Sequence, residues 1–343
     1  LFSQVKPLIE SADLAFANLE TPIAPDHHKG TRSMVFNAAP ELLPALYATG
    51  FDVLSFANNH VYDQGRDGFE ETMERLDGSG MTWIGGGPDC AAARKARLVA
   101  QNEITVAFIG SSKVYNDNKN RGENQACSFE LSVEEALAES QAAKEAGADL
   151  VVVSVHWGRE YRTFPEQSEV DDAHALVNGG VDLVLGHHAH VVQPVEVLHR
   201  EDGSVGVIAY SLGNFISNQR YDYKHGVQSL DYGNPRDGLA LQIDAVRKDY
   251  GEAPDGSPQI RVELANVVAI PLWTDNNAGR IVHPTPVIRV IPTADALSAA
   301  YAQLDAAETV EEDLAAKQRI ALLEDRWNQV EDIVGEGMMP KHP

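Results

Sequence analysis

The chain has 343 residues, of which 43% are hydrophobic and 23% charged, and a formal net charge of −24. That composition suits a soluble protein with one large domain or two, and its acidity argues against a nucleic-acid partner, which needs a basic surface. No apolar stretch approaches the roughly 20 residues that span a bilayer, and two cysteines, Cys90 and Cys127, fit no zinc spacing and allow one disulfide or two thiols.

The first apolar run, residues 12–17, ends in Asn18-Leu19-Glu20. Residues 40–48 read as a helix, with Pro40 in its first turn, Leu42, Leu43 and Leu46 on one face and Gly50 as its stop. The run 51–57 leads into Asn58-Asn59-His60. Residues 65–77 carry Phe69, Met73 and Leu76 at helical spacing before Gly78 and Gly80. Strand-like runs follow at 81–84 and 104–109. Ser132 with Glu135 has the form of a capping box opening a helix to Gly147. The run 149–155 ends in His156-Trp157-Gly158, residues 170–178 read as a helix, and 181–185 leads into Gly186-His187-His188-Ala189-His190. Runs at 205–209, 239–245 and 260–268 are strand-like, the last two alternating and therefore antiparallel in character. The polar stretch 221–237 suits a lid or a plain surface loop. From Thr293 to Gly335 an Ala/Glu/Leu/Gln composition predicts two helices. The pattern is a mixed sheet core flanked by helices, with a main domain over 1–292 and a helical extension over 293–343.

Short, nearly continuous apolar runs read as strands buried on both faces, and ligands of α/β sheets bind beyond the carboxyl ends of such strands. Here four strand ends deliver Glu, Asn, His and His-x-His. On an extended chain residues of one parity share a face, so His188 and His190 reach one site while His187 points away. Mixed oxygen and imidazole donors suit Mn, Fe, Zn or a pair of them, not calcium. Glu20, Asn59, His156, His188 and His190 are the expected ligands, with His156 and His188 on one metal, His190 on the other and Glu20 as a carboxylate ligand or bridge. His60 is placed to donate a proton to a leaving group, with Asp63 orienting it. Asn18, Arg159 and Asn214 are expected at the substrate side, Arg159 within a basic rim that also includes Arg162, Arg220, Lys224 and Arg236. No serine-elbow or P-loop pattern competes.

The segments Asn18-Leu19-Glu20-Thr21-Pro22, Asn58-Asn59-His60 with Asp63 and Gly65, His156-Trp157-Gly158 with Glu160 and Tyr161, Gly186-His187-His188-Ala189-His190 with Gln193-Pro194, and Tyr210-Ser211-Leu212-Gly213-Asn214-Phe215 resemble, in order, the CapA-type poly-γ-glutamate capsule biosynthesis family of the calcineurin-like metallophosphoesterase superfamily. The resemblance covers roughly residues 12 to 245 and not the C-terminal helices. It implies a four-layer α/β/β/α sandwich with two divalent metal ions, Asn59 as ligand and His60 as catalytic imidazole. Glu20 stands nearest to the role of the superfamily's bridging Asp, and the family's opening strand ending in Gly-Asp is not in this sequence, so that either the segment was removed or the first metal site is incomplete. The implied function is a hydrolase acting by metal-hydroxide attack on poly-γ-glutamate, a related envelope polymer or a phosphoester. The alternatives are a non-catalytic accessory protein of capsule polymer synthesis or export, and a broad-specificity phosphoesterase. Expected partners are an anionic polymer or phosphoester and capsule-synthesis proteins, in an extracytoplasmic or cell-surface setting.

Overall fold

The computed structural model describes residues 1–30, 34–117, 120, 124–201, 203–252, 256, 258–276, 287–335 and 337–342. In chain order the elements are α1 (Lys6–Glu10), β1 (Phe16–Asn18), α2 (Leu42–Thr49), β2 (Val53–Ser55), α3 (Gly65–Asp77), β3 (Thr82–Ile84), β4 (Gly86–Gly87), α4 (Cys90–Arg94), β5 (Arg97–Gln101), β6 (Ile104–Ser112), β7 (Cys127–Ser128) and α5 (Val133–Glu145). They continue as β8 (Leu150–His156), α6 (Gln167–Asn178), β9 (Leu183–His187), β10 (Val195–His199), β11 (Val205–Ala209), β12 (Asp237–Glu252), β13 (Pro258–Asn276), β14 (Ile288–Pro292), α7 (Thr293–Asp305) and α8 (Val310–Val334).

The predicted alternation is therefore present, with shifted boundaries. Helix α2 starts at Leu42, with Pro40 outside it, and stops where Gly50 turns left-handed (φ 106). Helix α6 begins three residues before the predicted 170, because Glu169 accepts the Glu166 N–H and caps an earlier turn. Strand β1 is only three residues long.

The largest sheet has the order β10-β11-β9-β8-β6-β5. Its four inner strands run parallel, and β5 and β10 are antiparallel edges. All seven residues of β8 are buried, as its unbroken apolar run requires. A parallel sheet β1-β2-β3 and an antiparallel sheet β12-β13-β14 lie opposite.

Three cores define four layers. Phe2, together with Leu43, Leu46, Phe69 and Leu76 of the helices, packs on Phe51, Leu54 and Trp83. Val53, Ile84 and Leu239 meet Phe108, Val152, Leu185 and Val207 between the sheets. On the far face Ala136, Ala143, Ala173 and Leu176 cover Val151, Val153 and Val184. The order helix, sheet, sheet, helix is the expected sandwich.

Helices α7 and α8 pack Leu297, Leu323 and Trp327 on Trp273 of β13. Arg326, buried in α8, donates to Leu230 O and Asn234 Oδ1 and pairs with Asp237. The C-terminal part of the 221–237 stretch thus forms a 3-10 turn, Leu230–Arg236, pinned beneath α8 rather than a free lid. Cys90 and Cys127 form a disulfide that closes a span of 37 residues. In the chain-entropy account that closure contributes about 3–4 kcal/mol.

Between β1, the inner face of the six-stranded sheet and β12 lies a cavity of 1320 Å³, lined by Phe16, Phe108, Val152, Leu185, Leu239 and Leu241 among others. Among the described residues β1 pairs only with β2, and β12 pairs along its length only with β13. No described helix is long and apolar enough to cross a membrane.

Candidate metal centre

The ends of the strands align. Ser112, His156 and His187 are successive register partners at the ends of β6, β8 and β9. Asn18 and Ser55 match at the ends of β1 and β2. The residues just beyond these ends therefore share one rim, and Glu20, Asn59, His156, His188 and His190 converge there.

His156 Nε2 lies 2.9 Å from Asn59 Oδ1, 3.1 Å from His188 Nδ1 and 4.0 Å from Glu20 Oε1. His190 Nε2 lies 3.7 Å from the same Glu20 oxygen. Asn59 Nδ2 donates to Asn116 Oδ1 at 3.2 Å, which turns the amide oxygen towards His156. His190 Nδ1 is 3.0 Å from Asn214 Oδ1. Asn18 Nδ2 donates to Glu20 Oε2 at 3.1 Å, leaving Oε1 buried without a hydrogen bond although 22% of the side chain is exposed.

The His-x-His pair converges for a reason other than the one expected. Strand β9 ends at His187, and His188 and His190 both take left-handed backbone, φ 93 and 58. The turn, not strand parity, aims both rings at the rim. His187 does point elsewhere: its ring is 6.0 Å from that of Phe16, lining the inter-sheet cavity, with Nε2 unpartnered. Gly186 is obligatory, since a Cβ there would sit 1.9 Å from Tyr210 O. That carbonyl also accepts the Trp157 Nε1–H at 3.0 Å, locking β8 and β11 around the turn.

Burial and the neighbouring imidazoles hold His156 well below the ordinary histidine range. Burial lowers His188 to about 4 and His187 to about 3. Burial raises the Glu20 carboxyl, against the opposing pull of His190 and His60. The His156, His187 and His188 rings are thus neutral at pH 7, with lone pairs available.

Among the described residues no group of three or more His, Cys, Asp or Glu side chains stands together as a metal shell. Asn59 is not of those types, and its oxygen completes the closest set. Donors held at about 2.0–2.2 Å from one ion lie about 3 Å from each other, the spacing seen around His156 Nε2. Several electron-rich atoms facing each other with too few protons, and one orphaned carboxylate oxygen, fit a cation. Buried polar atoms normally find partners.

His60 stands beside this set, 1% exposed, with Nδ1 2.7 Å from Asp63 Oδ2. Asp63 also accepts the Phe36 N–H at 2.6 Å, and the Phe36 ring lies 4.1 Å from the His60 ring. The carboxylate places the ring proton on Nδ1 and leaves Nε2 for acid–base work. Of the substrate-side residues, Asn18 and Asn214 support Glu20 and His190, and Arg159 is exposed on the turn after β8 without a side-chain partner among the described residues. Arg236 leaves the basic rim: it is buried, 4.3 Å over the Trp273 ring.

Sequence reasoning missed Asn116 and gave no role to Asn58 and Tyr161, although both lie in the motif segments. Asn58 is fully buried, donates to Leu19 O at 2.8 Å and accepts the His60 N–H at 3.1 Å, so it ties the two loops together. Its place in Asn-Asn-His was a signal. Asn116 had none, lying in an unpatterned polar loop.

The chain is 29% identical over 266 residues to the capsule biosynthesis protein CapA of Bacillus anthracis, covering 76% of this chain and 62% of that one. It is 28% identical over 241 residues to the PGA biosynthesis protein CapA of Bacillus subtilis, covering 69% and 62%. It thus spans about three-fifths of the length of these relatives. The structure also resembles Haemophilus influenzae NAD nucleotidase loosely, with a TM-score of 0.44, 12% identity and coverage of 95% of this chain and 54% of that one. A likeness this loose identifies neither substrate nor reaction. The model of the bacterial capsule synthesis protein family PGA_cap matches residues 1–219, including every loop that builds the imidazole rim, and the chain belongs to that family.

Proposed function

We propose that the chain is a metal-dependent hydrolase that cleaves poly-γ-glutamate, a related anionic envelope polymer or a phosphoester. The observation that carries this reading is the convergence of donors from four strand ends on His156 Nε2 and on the orphaned Glu20 Oε1. Asn59, His156 and His188 would hold one divalent ion, and His190 the other, with Glu20 between them. Such ions, when bound, supply Lewis-acid activation of water and of the scissile group. Asn116 and Asn214 orient Asn59 and His190. Asp63 keeps the His60 proton on Nδ1, so that Nε2 can exchange one with the leaving group. Asn18 fixes Glu20.

Metal content of the purified protein, with turnover of bis(p-nitrophenyl) phosphate and of poly-γ-glutamate, tests the reading. His60→Ala should slow the cleaved substrate by about 10²–10⁴-fold. A fully metal-loaded protein that cleaves neither would reject hydrolysis. It would favour a non-catalytic role in polymer synthesis, the process named in the Bacillus relatives.

A further inference from the structure

Four non-glycine residues with left-handed backbone surround the rim: Tyr161 (φ 63), His188 (φ 93), His190 (φ 58) and Arg220 (φ 53). Each such residue costs about 1–3 kcal/mol and persists only where its surroundings hold it. Two belong to the imidazole set. The other two meet each other outside it.

The Arg220 guanidinium carbon lies 5.7 Å from the centre of the Tyr161 ring and 4.3 Å from that of Tyr232. The Tyr161 ring in turn stacks 6.0 Å from the His190 ring at an interplanar angle of 29°. A second route leads to the same place. Asn214, bonded to His190, donates from Nδ2 to Gln219 Oε1 at 3.1 Å, and Gln219 adjoins Arg220. Arg220 is thus tied to His190 from two directions.

Its N–H groups are unspent. No hydrogen bond or ion pair of the Arg220 side chain exists among the described residues, whereas Arg75, Arg289 and Arg326 are each paired to a carboxylate. Arg159 is also unpaired, but no ring grips it. A guanidinium in contact with two rings loses less freedom on binding than a solvated one and presents a planar fork that matches an oxyanion. A protein with a net charge of −24 repels anions at long range, so a cation fixed at the mouth is what admits one.

We propose that Arg220, set against the rings of Tyr161 and Tyr232, is a specificity-determining residue that docks a non-reacting oxyanion of the substrate beside His190. This rests on the hydrolase reading only for what happens to the neighbouring bond. The anion is a carboxylate or a phosphate, and the two sources are separable.

Calorimetric titration of the metal-loaded protein with a γ-linked glutamate tetramer, its neutral methyl ester and inorganic pyrophosphate tests it without turnover. Arg220→Ala should weaken an anionic ligand about 10- to 100-fold and leave the ester unaffected. Loss confined to the tetramer assigns a carboxylate, and loss confined to pyrophosphate assigns a phosphate. Arg220→Lys should recover only part of the affinity, and Tyr232→Leu should lose affinity with Arg220 intact. If Arg220→Ala fails to fold, the lysine and leucine variants carry the test. A folded Arg220→Ala, or the other two where it does not fold, binding both anions as the wild type does would overturn the proposal. Weakened binding with no wild-type turnover of any substrate would leave the proposal standing and end the hydrolase reading. The converse pattern, turnover lost in His60→Ala with binding intact in the Arg220 variants, would do the reverse.

Discussion

Arg326 in α8 and the imidazoles of His156 and His188 are all buried, yet the two places treat their polar atoms in opposite ways. Arg326 reaches Asp237 Oδ1 at 3.1 Å, Leu230 O at 2.6 Å and Asn234 Oδ1 at 2.7 Å, and it lies over the Trp273 ring. Asp237 keeps the guanidinium charged. At the rim, Glu20 Oε1 and His156 Nδ1 have no hydrogen-bond partner, His188 and His190 are in left-handed backbone, and the His156 and His188 rings resist protonation. A satisfied buried network holds parts of a fold in register. An unsatisfied one, kept in place by a rigid scaffold, is fit to bind something it does not itself contain.

The contrast predicts opposite responses to mutation. The largest effect should come from Arg326→Met, which strands Asp237 as a lone buried carboxylate and should cost about 3–5 kcal/mol, read as a fall in the urea midpoint. A loss below about 1 kcal/mol would deny the network its structural role.

At the rim the equivalent change should cost little by itself. His156→Leu should leave metal-free stability within about 1 kcal/mol of wild type, since it removes an unpartnered buried nitrogen along with a hydrogen bond. Manganese or zinc at about 100 times its Kd should stabilise the wild type by about 2.7 kcal/mol and should not stabilise His156→Leu. Equal metal-induced melting shifts in both proteins would separate His156 from the metal.

A further response is one of pH. Unfolded histidines take up protons near 6.5, but folded His188 waits until about 4 and His187 until about 3. Between these values the unfolded state binds more protons. Metal-free stability should therefore fall as pH drops from about 6.5 towards 4, by up to about 1.4 kcal/mol per pH unit for each such ring. Urea midpoints in chelator that hold level across that window would show the rings to be solvated.

Much of the site was legible because short apolar runs ending in ligand-type residues mark strand ends, and strand ends in one layered sandwich share a rim. Glu20, Asn59, His60, His156, His188 and His190 were all named on that ground. The geometry of His188 and His190 was not legible, because an extended and a left-handed path through His-Ala-His have the same composition. Asn116 and the Arg220–Tyr161 stack escaped for a related reason: each joins loops that no periodic pattern relates.

The sequence by itself determined the alternation of strands and helices, the apolar faces and the residues that end each strand, since these follow from local period and composition. The tertiary structure decided which rotamers meet, that Cys90 and Cys127 pair, that Arg326 pins the turn before β12, and that Arg220 keeps its donors free. The disulfide joins residues 37 positions apart and the His156–Asn59 contact residues 97 apart, and packing, not propensity, sets which distant groups come within a few ångströms of each other.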